Sequence, residues 1–115
     1  MCVVDDDDSM RESLPGLLAE LGYAARAFAS APEFLASDAL DRTRCLILDV
    51  AMPEMTGPEL QLELLRQGRD IAIIFITARS DEKIRAEVLA KGAVAFLLKP
   101  FTESELTSAL AAAAL

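Results

Sequence analysis

Four consecutive aspartates, Asp5 to Asp8, follow the short apolar run Cys2–Val4, and a fifth, Asp49, closes a second apolar run at residues 44–48. Thr77 ends a third such run and Lys99 a fourth, the lysine followed at once by Pro100. Histidine is absent. No Ser-His or Cys-His dyad, histidine-ligated metal or imidazole base can therefore be built. The chemistry available belongs to carboxylates, a hydroxyl, a lysine and any cation they hold. Gathering carboxylates is unfavourable, because two like charges 4 Å apart repel by about 4 kcal/mol at an effective dielectric near 20. A hard cation such as Mg²⁺ (or Mn²⁺) compensates them, keeps some waters and leaves positions for a phosphate oxygen. Lys99 adds a point charge and Thr77 a hydrogen bond for further oxygens. Such a set suits phosphoryl transfer, which needs positioning and charge neutralisation more than acid-base groups. A carboxylate can itself be the nucleophile. Asp49 is the better candidate, since it ends a buried run before the tight Met52-Pro53…Gly57 connection. Asp5 and Asp6 stand as a pair suited to chelation. Asp7 and Asp8 read as the acidic start of a helix, where carboxylates are favoured.

For these residues to meet, the runs that carry them must lie side by side. Short β-rich runs alternate with helical patterns five times. The strands are expected at Cys2–Val4 and at residues 23–28, 44–48, 71–76 and 94–98. The first helix carries Met10, Leu14, Leu17, Leu18 and Leu21 at helical spacing and stops at Gly22. Ser30-Ala-Pro-Glu33 reads as a capping box opening a short helix with Phe34 and Leu35 inward. A helix at residues 57–67 turns Leu60, Leu64 and Leu65 to one face, another spans residues 81–91, and Thr102 to Glu105 caps the last. The unbroken apolar run at residues 71–76 implies a strand covered on both faces. Five β-α pairs of this kind predict a parallel sheet between helical layers. In such sheets ligands bind beyond the carboxyl ends of the strands. Asp5, Asp6, Asp49, Thr77 and Lys99 all stand at those ends.

The composition narrows the function further. A chain of 115 residues that is 53% hydrophobic is expected to be one packed domain. Eleven basic and nineteen acidic residues leave a net charge of −8, which disfavours direct nucleic-acid binding. No apolar run approaches a membrane span, and no signal peptide precedes the first strand, so a cytoplasmic protein is expected. Cys2 and Cys45 fit no metal spacing and read as buried thiols.

Val3-Val4-Asp5-Asp6-Asp7, Leu48-Asp49-Val50-Ala51-Met52-Pro53…Gly57, Ile76-Thr77-Ala78 and Lys99-Pro100-Phe101 resemble the signature blocks of response-regulator receiver domains. These are the switches of two-component signalling, and the flavour is that of FixJ-type transcriptional regulators. Four blocks in register cover nearly the whole chain. The resemblance implies a flavodoxin-like fold with strand order 2-1-3-4-5 and residues 1–115 as one receiver domain. It implies Asp49 as phosphoacceptor, a sensor histidine kinase as donor and weak autophosphatase activity. Asp6 and Asp49 would bind Mg²⁺ directly and Asp5 mainly through water, with the backbone carbonyl of Ala51 as a further ligand. Thr77 and Lys99 would hold phosphoryl oxygens, Ala78 would leave access, and Phe96 would be the aromatic switch. Lys99-Pro100 would be a cis peptide. The face of the fourth helix, fifth strand and fifth helix would exchange partners, as in phosphorylation-dependent homodimers. A downstream output domain is expected to be missing, a stand-alone receiver being the other reading.

Two features depart from the pattern. The first strand begins almost at Met1, where family members carry several more residues. Pro15-Gly16 lies inside the first helical pattern and is expected to kink the helix or delay its start. Three other functions fit parts of the sequence. A degenerate receiver would only bind proteins. A haloacid-dehalogenase-like phosphatase would use Asp5-Asp6-Asp7 as its DxD, but no second acidic pair follows the later lysine. A flavodoxin-like cofactor binder needs a hydroxyl- and glycine-rich phosphate loop where four carboxylates stand.

Overall fold

The computed structural model describes residues 1–113. Five strands form one all-parallel sheet in the order 2-1-3-4-5: β1 Cys2–Val4, β2 Arg26–Phe28, β3 Cys45–Asp49, β4 Ala72–Thr77 and β5 Ala95–Leu98. The helices are α1 Asp8–Glu20, α2 Ala31–Leu35, α3 Gly57–Arg66, α4 Glu82–Ala90 and α5 Glu103–Ala112, with a 3₁₀ turn at Asp38–Asp41. The expected fold class and strand order are those observed. No helix among the described residues is long and apolar enough to cross a membrane.

Alternation along the strands divides the core in two. Val4, Leu46, Leu48, Ile73 and Phe75 pack with Phe34, Leu60, Leu64 and Val88 from α2, α3 and α4. Val3, Cys45, Ile47, Ile74 and Ile76 pack with Leu14, Leu18, Leu106 and Leu110 from α1 and α5. The central strands β1, β3 and β4 are thus covered on both faces, which explains their unbroken apolar sequence. Cys2 and Cys45 are buried free thiols, and burial pushes the Cys45 thiol up to about 11.

Several local expectations are corrected. α1 begins at Asp8 and runs through Pro15 to Glu20, with no delayed start. Its first turn is set before the proline is reached, since Asp7 caps the Ser9 amide and Arg11 N–H donates to the Asp7 carbonyl. Pro15 removes the bond its own amide would have made and sets its ring against the Arg11 carbonyl, yet the helix continues to Glu20. β2 is three residues rather than six. Tyr23 N–H turns back to the Leu18 carbonyl to finish α1, and β1 offers only Cys2–Val4 for pairing. Ser30 does cap the Glu33 amide, but Glu33 answers to the Ser30 hydroxyl instead of its backbone. The full reciprocal boxes are Thr102–Glu105, as expected, and Thr56–Glu59, which opens α3. On α3 the buried face is Leu60, Gln61 and Leu64; Leu65, expected inward, is 49% exposed. Around the helix the buried arc runs from Leu60 through Leu64 and Gly57 to Gln61, and Leu65 lies one step beyond its edge.

Gly57 anchors the loop after β3. Its N–H donates to the Val50 carbonyl at 2.9 Å, and a Cβ there would stand 2.2 Å from the Asp49 carbonyl oxygen and 3.0 Å from the Phe75 ring. Backbone cannot yield as a flexible side chain can. Gly57→Ala is therefore expected to destabilise the domain by about 2–4 kcal/mol. Urea unfolding checks this, and a midpoint equal to the parent's would show that the loop can relax.

Candidate functional site

The carboxyl ends of the strands converge because the sheet is parallel and in register. Val4 pairs with Leu48, so Asp5 and Asp49 follow at the same level; Asp49 pairs with Ile76 and Thr77 with Leu98, which puts Lys99 one residue past the rim. Alternation then sorts the side chains. Asp5 and Asp49 continue the α1/α5 side of their strands, whereas Thr77 and Phe96 continue the α4 side.

The groups expected to meet do so. One carboxylate oxygen each from Asp5, Asp6 and Asp49 lies within 4.8 Å of the others. Lys99 Nζ donates to Asp5 Oδ2 at 3.0 Å and stands 3.9 Å from Asp49 Oδ1. Asp5 is wholly buried, Asp49 is 7% exposed, and Asp6 is open to solvent. Asp5 is further fixed from both sides. Its Oδ1 accepts the Asp7 N–H at 2.9 Å, and Arg11 Nη1 donates to its backbone carbonyl at 2.9 Å. Asp7 and Asp8 serve α1, as N-cap and as the partner of Arg11.

A cavity of about 360 Å³ opens above Asp49 and is lined by Asp6, Ala51, Thr77, Ala78, Phe96 and Lys99. Thr77 Oγ1 accepts the Arg79 N–H at 3.2 Å, its hydroxyl proton remaining available, and the Thr77 carbonyl accepts the Lys99 N–H at 2.8 Å. Lys99-Pro100 is cis, as expected. Phe96 is half-buried and its ring lies 6.4 Å from that of Phe75. Arg79, Asp81 and Ile84 also line the cavity. Arg79 lies two residues beyond Thr77, and the other two stand at the start of the helix expected at residues 81–91.

Burial, and then the charge of Asp5, push the Asp49 carboxyl up to about 7. Lys99 opposes the shift, yet one ammonium faces three carboxylates. Hard oxygen donors in excess of the available positive charge are what a divalent cation of the Mg²⁺ or Mn²⁺ type requires, so the residues fit such an ion. With a cation, the set can hold a dianionic phosphoryl group against a carboxylate nucleophile.

The raised carboxyl has a consequence for stability. Between about pH 4 and pH 7 the folded chain keeps a proton on Asp49 that the unfolded chain has released, so this group lowers stability as pH rises. In chelator, Asp49→Asn should be more stable than the parent at pH 8 by about 1–3 kcal/mol, the gap closing toward pH 4. Denaturant melts across that range test it; a gap independent of pH would mean an unperturbed carboxyl.

Comparison with known proteins agrees with this geometry. The family described as "Response regulator receiver domain" matches residues 1–111. The chain is 46% identical over 111 residues to nodulation protein W of Bradyrhizobium diazoefficiens, covering 96% of this chain and 49% of that protein. It is 41% identical to the transcriptional regulatory protein FixJ of Azorhizobium caulinodans, covering 96% and 52%. Among solved structures, the response regulator StyR superposes with a TM-score of 0.87 at 41% identity, over 96% of this chain and 56% of that one. FixJ-N superposes with a TM-score of 0.86 at 34% identity, over 97% and 90%. The chain spans about half the length of the curated relatives it matches. With a family match over nearly its whole length and the family's fold beneath it, this chain belongs to the response regulator receiver domain family.

Proposed function

We propose that this domain accepts a phosphoryl group on Asp49 from the phosphohistidine of a sensor histidine kinase and relays the event through its α4–β5–α5 face. The observation that carries the reading is that carboxylate oxygens of Asp5, Asp6 and Asp49 lie within 4.8 Å of one another, with Lys99 in ion-pairing reach of Asp5 and Asp49. An Asp49 carboxylate oxygen attacks phosphorus, a P–O bond forms, and the P–N bond to the donor imidazole breaks. Asp6 and Asp49 would hold the divalent cation directly and Asp5 mainly through water, with the Ala51 carbonyl as a further ligand. When bound, that cation neutralises charge on the phosphoryl oxygens. Lys99 binds another of those oxygens and Thr77 donates its hydroxyl to a third. Ala78 is small enough to leave the approach open.

Engaging the phosphoryl group draws Thr77 and the loop after β4 toward Asp49. Space opens for Phe96, and a pre-existing equilibrium between two arrangements shifts. The α4–β5–α5 face, where Leu98 is 44% exposed, is the surface on which such a shift would alter homodimerisation. The output is transcriptional control through a further domain, in line with the regulatory proteins this chain resembles.

Incubation with acetyl phosphate and Mg²⁺ is expected to add one phosphoryl mass, labile to hydroxylamine, on Asp49. Asp49→Asn should remove it, and chelation should slow labelling by at least about a hundredfold, a cation effect of several kcal/mol. Labelling that survives Asp49→Asn at the parent's rate would sink the assignment. Lys99→Ala is expected to be labelled yet not to switch, read as no phosphorylation-dependent change in sedimentation or in Phe96 NMR shifts. Parent-like switching in that variant would remove Lys99 from the relay.

A further inference from the structure

Gln61 is out of place on the inner face of α3. It is 2% exposed, between Leu60 and Leu64, where an apolar side chain would pack at lower cost. Its Nε2 donates to the backbone carbonyl of Val88 in α4 at 3.0 Å, and its Oε1 has no hydrogen-bond partner among the described residues. Only the amide NH₂ can serve a carbonyl, so the orientation of the carboxamide follows from its partner. A buried carboxamide with half its capacity unused is not a packing choice. What Gln61 contributes is the donor.

The bond falls at one end of α4. The Val88 carbonyl also accepts the Ala93 N–H at 3.0 Å, and Lys91 and Gly92 N–H close the same turn onto Glu87 and Leu89. Val88 is the one buried residue of this helix. The other end is held differently. Asp81 caps the Lys83 and Ile84 amides from within the same segment, Glu82, Lys83 and Arg85 are exposed, and Ile84 lines the cavity above Asp49.

We infer that Gln61 is a positioning residue that pins the carboxyl end of α4 to α3 and makes it a pivot, so that movement of this helix is confined to its amino-terminal end beside the phosphoacceptor pocket. The inference rests on the switch proposed above and assigns the fixed point of its moving part. A helix anchored at one end converts a small displacement at Ile84 into a rotation of the surface it presents, whereas an unanchored one would slide or fray.

Hydrogen exchange of the α4 amides, with and without Mg²⁺ and beryllofluoride as the phosphoryl mimic, tests this. In the parent chain the mimic should change exchange at residues 83–86 at least fivefold and at Lys91, Gly92 and Ala93 less than twofold. Gln61→Met keeps the length of the side chain and Gln61→Leu most of its volume, and neither can donate to Val88. Both should speed exchange at Lys91, Gly92 and Ala93 at least tenfold without the mimic, leaving Leu48 and Ile74 unchanged, and should let the mimic alter both ends of α4. The inference is overturned if the Met variant stays within twofold of the parent at those three amides. It is overturned equally if the mimic alters both ends alike in the parent. A parent chain that ignores beryllofluoride would defeat the phosphoacceptor reading alone, because the ligand-free comparison of the variants still tests the anchor.

Discussion

The crowding of negative charge at the carboxyl rim of the sheet governs the rest of the structure. Asp5, Asp6 and Asp49 bring oxygens within 4.8 Å of one another where water is partly excluded, and Lys99 opposes them. Unbalanced, the arrangement forces Asp49 to hold its proton near neutrality. A folded chain can hold such a cluster only if stiff elements keep Asp5 and Asp49 from swinging into solvent, where Asp6 already lies. Asp5 shows how this is done. Its side chain is tied to the Asp7 amide and Lys99, and its backbone carbonyl to Arg11.

The two layers of the core divide this labour. The α1/α5 layer backs Asp5 and Asp49 with Leu14, Leu18, Leu106 and Leu110, all buried, and makes the charged side of the rim rigid. The other layer backs Thr77 and Phe96, and there packing loosens toward α4. Phe96, Ile84 and Leu89 are only half-buried, and Val88 alone in α4 is fully enclosed. Rigid charge on one side and a lightly packed helix on the other is the contrast a switch needs, since the elements that move are drawn from the less stable end of a fold. Gly57 joins the two sides. By leaving no Cβ against the Asp49 carbonyl it lets the loop and α3 approach Asp49.

Binding chemistry and fold are coupled through the same strands. The aspartates are affordable because the three neighbouring strands that end beside them are buried on both faces. Net charge of −8 over the whole chain adds diffuse self-repulsion. A cation bound at the rim would relieve the sharpest part of it and so would link ligation to stability.

Much of this was legible in one dimension. The strand–helix alternation, the covered central strands and the chemical identities of Asp5, Asp6, Asp49, Thr77 and Lys99 follow from residue type and spacing, because hydrophobic period and strand-end position are local properties of a chain. Boundaries were less legible. β2 is shortened by its neighbour's length and by the turn that finishes α1, and α1 tolerates Pro15 because its cap lies upstream; neither is a property of the segment itself. Packing decided the remainder. Which side of the rim each group faces, the double hold on Asp5, the exposure of Leu65 and the burial of Gln61 against Val88 all depend on contacts between residues far apart in sequence. A periodic pattern marks a helix face only to within a residue or so, and it says nothing of the carbonyl that waits on the neighbouring helix.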